Sequence, residues 1–226
     1  MKRFLFVSLA LIGMMATAPS AHANSLAPGG STTDDSFTYG GGGVPGLDPI
    51  GSPLATLTGQ INDQSTGNPI ASWTEWVYRN SNGTLDFLYQ LTNDSASTTI
   101  ETVPLRLYAG FTTDVGVLSN PTALTPAGVA GTIHDTSIER DLDGGAVNFE
   151  YSTSGFTTGK ISDVLVVATN ALNYGPGNVG ATDGLTGESP SFGPSTVPEP
   201  SSLALAGLGA LGMIGYGLRR RKALGA

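Results

Sequence analysis

From residue 54 to residue 174 the apolar positions recur at every second residue. Leu85, Phe87, Tyr89 and Leu91 alternate with Asp86, Leu88, Gln90 and Thr92, the pattern of a strand with one buried face. Val103, Leu105, Leu107 and Ala109 alternate with Pro104, Arg106 and Tyr108, and Val147, Phe149 and Tyr151 with Asn148, Glu150 and Ser152. Between Ile161 and Thr169, Val164-Leu165-Val166-Val167 form one continuous apolar run, as expected of a strand covered on both faces. Segments 54–61, 72–79, 115–118 and 131–138 read as further strands, and Asn82-Gly83, Asp143-Gly144 and Ser154-Gly155 as turns. No stripe of helical period occurs between 24 and 196. The pattern predicts an all-β domain over 54–174, a single β-sandwich of jelly-roll or immunoglobulin-like type. Pro104, inside an alternating run, predicts that its strand is an edge or bulged one. The Gly/Pro-dense stretches 24–53 and 175–196 predict flexible linkers on either side.

Two apolar runs outside this domain break the period. The first follows Met1-Lys2-Arg3 and extends from Phe4 to Ala18, before Pro19 and Ala21-His22-Ala23. A basic start, an apolar stretch and small residues at Ala21 and Ala23 are the parts of a secretory signal peptide over 1–23. The expectation is export through the Sec translocon and removal by signal peptidase after Ala23. The second run, Leu203 to Leu218, carries no charge and is followed at once by Arg219, Arg220, Arg221 and Lys222. With Ser201 and Ser202 included, 201–218 would nearly cross a membrane as a helix, at 1.5 Å per residue against a core of about 30 Å. The basic cluster beyond it predicts a cytoplasmic end and an ectodomain outside. Pro198 and Pro200 mark the boundary, because neither extends a helix inward.

The tail Val197-Pro198-Glu199-Pro200-Ser201-Ser202, apolar segment and Arg-Arg-Arg-Lys resembles the PEP-CTERM protein-sorting signal of exopolysaccharide-producing bacteria. The resemblance covers 197–226, a tail also labelled from ice-binding proteins that end in it. It implies that Val197, Pro198, Glu199 and Pro200 form a recognition motif for an exosortase, a membrane Cys protease or transpeptidase. It implies too that Arg219 to Lys222 hold the tail in the inner membrane until processing.

Charge changes the picture of the middle. The chain of 226 residues has a formal net charge of −8, yet six of its ten bases lie at the two ends. Between 24 and 196, Arg79, Arg106, Arg140 and Lys160 stand against seventeen acids, so nucleic acid is excluded as a partner. The absence of Cys excludes disulfides, thiol nucleophiles and thiolate-held zinc. Ser and Thr total 47, which suits a hydrated face in a polysaccharide matrix as well as strands and turns.

Three groups of residues invite chemistry. Glu139, Asp141, Asp143, Gly144 and Glu150 fall at positions 1, 3, 5, 6 and 12 of a calcium-loop numbering. The flanks read as strands, so an acidic hairpin turn is the alternative to calcium. Trp73, Trp76 and Tyr78 cluster on one segment; Trp73 and Trp76 are candidates for stacking on a glycan, with core packing as the other role. His134, the single His beyond 23, stands next to Asp135, and no Gly-x-Ser-x-Gly elbow accompanies it. Thr56-Leu57-Thr58 is the one Thr-x-Thr, too little for an ice-binding ladder. The expectation is a non-enzymatic protein of the cell surface or a biofilm matrix, with a secreted carbohydrate- or calcium-binding module as the alternative.

Overall fold

The computed structural model describes residues 25–33, 52–95, 99–118, 128–182 and 186–196. Ala21 and Ala23, Val197 to Pro200, the helix expected at 201–218 and Arg219 to Lys222 lie outside these residues. Among the described residues no helix is long and apolar enough to cross a membrane.

Among the described residues eleven strands run in chain order: β1 (Ser31–Thr32), β2 (Ala55–Asn62), β3 (Pro69–Arg79), β4 (Leu85–Asn93), β5 (Thr102–Arg106) and β6 (Thr113–Leu118), then β7 (Ser137–Arg140), β8 (Ala146–Glu150), β9 (Val164–Thr169), β10 (Asn173–Thr182) and β11 (Thr186–Ser195). They form two antiparallel sheets, a six-stranded one in the order β1-β7-β8-β5-β10-β11 and a five-stranded one in the order β2-β3-β4-β9-β6. The period-2 pattern is the cause. On β4, Leu85, Phe87, Tyr89 and Leu91 all face the space between the sheets, where they meet Val103, Leu105, Val147, Phe149 and Val167 in one core. Burial of such side chains, at about 25 cal/mol per Å² of apolar surface, is the main force joining the layers. The β3–β4 hairpin closes through Asn80 N–H to Thr84 O at 2.9 Å, with Gly83 at φ +90° in the Asn82-Gly83 turn.

The domain is larger than 54–174. The stretch 175–196, expected to be a linker, is instead most of the β10–β11 hairpin, paired from Asn173↔Ser195 to Thr182↔Thr186. Its composition misleads because its glycines meet a need for close approach. A Cβ on Gly187 would lie 2.4 Å from Asn62 O on β2, where β11 seals one side of the sandwich. Its prolines sit where no ladder donor is missing: Pro190 and Pro194 are on an edge strand, and Pro176 lies beyond the last β5 pair, Asn178↔Arg106. The linker expected over 24–53 is also corrected at its start, since β1 pairs with β7 and Leu26 is in the core.

Pro104 corrects a second expectation. Its strand is neither an edge nor bulged but central, between β8 and β10. Pairing with β10 occurs at Arg106, Leu105 and Thr102 and lapses at Pro104. The ring instead packs on Gly180, where a Cβ would come within 2.8 Å of Pro104 Cγ. The alternation expected to continue to Ala109 stops at Arg106 because Leu107 turns to φ +77° and the next amides bond to Gly145 O. Of 131–138, only the last residues enter β7.

Candidate functional site

The acidic segment folds as a hairpin turn between β7 and β8. Asp141 N–H reaches Ala146 O at 3.0 Å, and Gly144 N–H reaches Asp141 O at 2.8 Å. Glu139, Asp141 and Asp143 line one concavity with Asn148, and Glu150 is not part of it. Asp141 Oδ1 accepts from Asn148 Nδ2 at 2.8 Å, and Asp143 Oδ1 accepts from Gly145 N–H at 2.8 Å. Glu150 Oε2 accepts from Thr102 Oγ1 at 2.7 Å on the neighbouring strand, while Glu139 is exposed. Burial raises the Glu150 carboxyl, with Glu139 and Glu101 adding to the rise. No group of three or more His, Asp or Glu among the described residues is placed to hold a metal ion. Millimolar Ca²⁺ should therefore leave the melting temperature of the protein unchanged; a rise of several degrees would restore the calcium loop.

The turn's organising residue is Arg140, 5% exposed. Its guanidinium donates to Leu26 O at 2.8 Å, Phe111 O at 2.8 Å, and Tyr108 O and Gly144 O at 3.1 Å. It thus ties the N-terminal segment, the β5–β6 loop and the β7–β8 turn together. Desolvation draws its pKa below the ordinary guanidinium value, and the carbonyl dipoles hold the charge.

The aromatic segment packs on both faces of its strand. Trp73, at 3% exposure, lies in the inter-sheet core, and Trp76, at 5%, packs on the opposite face with Tyr78, Leu88, Leu118, Val164 and Val166. Glycan stacking by Trp73 or Trp76 is corrected accordingly, because neither ring has a free face. His134 is bonded through Nδ1 to Asp163 Oδ2, and the Ile133↔Ser162 bridge fixes its loop to the start of β9. The ring is 60% exposed while Asp163 is buried.

Sequence reasoning missed Glu75. On β3 the inward positions run Ala71, Trp73, Glu75, Val77, so one carboxyl sits between the sheets at 0% exposure. Oε2 accepts from Phe192 N–H of β11 at 2.8 Å, and Oε1 has no hydrogen-bond partner among the described residues. Across the β3–β4 ladder from Glu75 stands Tyr89, whose hydroxyl donates to Phe192 O at 2.8 Å and lies 3.4 Å from the Tyr108 hydroxyl. Both the N–H and the C=O of Phe192 are therefore held by buried side chains of the other sheet. Burial pushes the Glu75 carboxyl up to about 8, against the lowering effect of the Phe192 amide and of the nearby Tyr89 hydroxyl. Burial also raises both tyrosine hydroxyls, Tyr89 and Tyr108. The single acid in an inward apolar series is the signal that could have found it.

A concavity lies on the outer face of the five-stranded sheet, a cleft of about 520 Å³ over Thr58, Gln60, Ser72, Thr74, Gln90 and Thr92. Register makes it a grid: Thr58 faces Thr74, which faces Gln90, and Gln60 faces Ser72, which faces Thr92. No charged side chain lines it.

Beyond the last strand the chain carries a linear signal. Residues 196–222 match the family model of the PEP-CTERM protein-sorting motif. The match begins one residue after β11 ends at Ser195. No curated protein and no solved structure matches the chain.

Proposed function

We propose that this chain, which carries the PEP-CTERM sorting motif, is a non-enzymatic β-sandwich protein delivered by an exosortase to the cell surface or to a biofilm matrix. The motif over 196–222 carries the reading, since it makes the chain an exported protein processed by an exosortase at the membrane. The order of parts supports it: leader 1–23, a sandwich ending at Ser195 and the motif directly after it. The leader would engage the Sec translocon and signal peptidase, and 201–218 with Arg219 to Lys222 would hold the precursor in the inner membrane until processing.

A structural role for the ectodomain is supported by what its buried groups do. Glu75 holds the Phe192 amide of β11, and Arg140 holds four backbone carbonyls. These groups stabilise the sandwich, where a hydrolase would aim them into a cleft. An acidic, hydroxyl-rich surface stays hydrated and soluble within an exopolysaccharide.

Deleting Pro198 to Pro200 in a host with its exosortase tests the reading. The expected result is full-length precursor accumulating in the inner membrane and loss of the protein from the surface. Unchanged processing and location would sink the sorting role.

A further inference from the structure

The cleft on the outer face of β2, β3 and β4 is lined by no charged side chain. The stretch 24–196 carries seventeen acids, yet the cleft over this face is lined by hydroxyl, amide and apolar groups alone. Thr58 and Gln60 are exposed, and Ser72, Thr74 and Thr92 are half-buried. Their side chains repeat at the strand spacing of about 4.8 Å, on the scale of one pyranose ring.

One wall of the cleft is apolar and is held there by the fold. Val129 is 56% exposed, which costs free energy unless something covers it. Its backbone is clamped to the sheet: Val129 N–H donates to Gln90 Oε1 at 2.9 Å, and Gln90 Nε2 donates to Val129 O at 2.7 Å and Ser162 O at 2.9 Å. The preceding Gly128 sits at φ +69°, and a Cβ there would come within 2.8 Å of Gln90 Oε1. Half-buried Ile161 continues the wall, fixed by its amide to Thr132 Oγ1 at 2.9 Å. Two of the three hydrogen bonds of a buried amide thus present a valine beside a hydroxyl floor.

Sugar rings offer that same pairing of surfaces, an apolar C–H face and an equatorial rim of hydroxyls. An anionic polymer would be repelled by the net negative charge of the stretch 24–196, whereas a neutral one meets no electrostatic cost. We propose that this cleft binds a stretch of neutral polysaccharide, with Thr58, Gln60, Ser72 and Thr74 bonding the hydroxyls and Val129 and Ile161 covering the C–H face. The site gives the matrix reading a ligand class and rests on it, but the two fail separately, because sorting is read from processing alone.

Frontal affinity chromatography of the full chain, in a detergent without a sugar headgroup, tests the site on immobilised dextran, cellulose and mannan, with alginate as the acidic control. The wild type should be retained on at least one neutral polymer and pass through alginate. Thr58→Val with Thr74→Val keeps side-chain volume and strand propensity while removing two hydroxyls. At about 0.5–1.5 kcal/mol per hydrogen bond the dissociation constant should rise roughly tenfold. Val129→Ser should weaken retention by removing the apolar wall, and Thr182→Val on the other sheet should bind as the wild type. Passage of the wild type through all three neutral columns, stronger retention on alginate, or undiminished binding by both cleft variants would overturn the assignment.

Discussion

Glu75→Gln should flatten the pH dependence of stability and leave the protein several kcal/mol more stable than wild type at pH 9. The sign follows from the direction of the shift. Burial pushes the folded-state carboxyl up to about 8 from an ordinary 4.5, so between those values the native state binds a proton that the unfolded chain has released. The contribution of the neutral carboxyl is complete below the unfolded value. It is lost as pH rises, at about 1.4 kcal/mol per pH unit, until it levels off above the folded value. A neutral carboxyl has one proton to place, and Oε1, beside the Tyr89 hydroxyl, is the oxygen free to carry it while Oε2 accepts from Phe192. Ionisation would put an unpaired charge between the sheets, where desolvation is costly. Gln keeps the acceptor for Phe192 N–H and cannot ionise. Urea unfolding of both proteins from pH 5 to pH 9 reads the difference. The two curves should converge near pH 5 and separate steadily above it. Parallel curves would show that Glu75 does not titrate in that range.

Arg140→Ala should destabilise the domain strongly, by about 3–5 kcal/mol. The substitution leaves the carbonyls of Leu26, Tyr108, Phe111 and Gly144 without their shared donor. Each buried acceptor left unmade costs on the order of 1 kcal/mol or more. It also releases the N-terminal segment, whose Leu26 is in the core, from the six-stranded sheet. Arg140→Lys should recover only part of the loss, because an ammonium cannot span the fork that the planar guanidinium fills. Denaturant midpoints rank the three proteins; should Arg140→Ala fail to fold, Arg140→Lys still gives the measurement. A loss below about 1 kcal/mol in either variant would mean that the guanidinium is a passenger.

How legible all this was in the sequence depends on the range of the cause. The alternation of Leu85, Phe87, Tyr89 and Leu91 is a local statement about which face is buried, and β4 follows it. So does the division of labour on β3, where Trp73 and Trp76 point to opposite faces. Glycine and proline mislead because their meaning is set at long range. Gly187 looks flexible until Asn62 of β2 is brought against it, and Pro104 looks like an edge residue until Gly180 makes room for its ring. Glu75 was visible as the one acid in an inward series, but its partner, the Phe192 amide, lies 117 residues away in a stretch that composition assigns to a linker. The hydroxyl cleft was invisible for the same reason, since β2, β3, β4, the 128–130 segment and Ile161 meet only in the fold. The sorting tail was legible from the start because a processing enzyme reads it as linear sequence.

Two structural facts bear on how that tail is handled. The sandwich ends at Ser195 and the motif begins at the next residue, and the last strand before it is an edge strand whose Phe192 amide is held by Glu75.

Whether an exosortase processes this chain on its way out of the cell is read from the intact mass of the protein recovered from the surface or medium. The expected product is lighter than the 23.0 kDa chain, begins after Ala23 and ends close to Pro198–Pro200, without the basic residues Arg219 to Lys222. Recovery of a species that retains the apolar run 203–218 and that basic cluster would overturn exosortase processing.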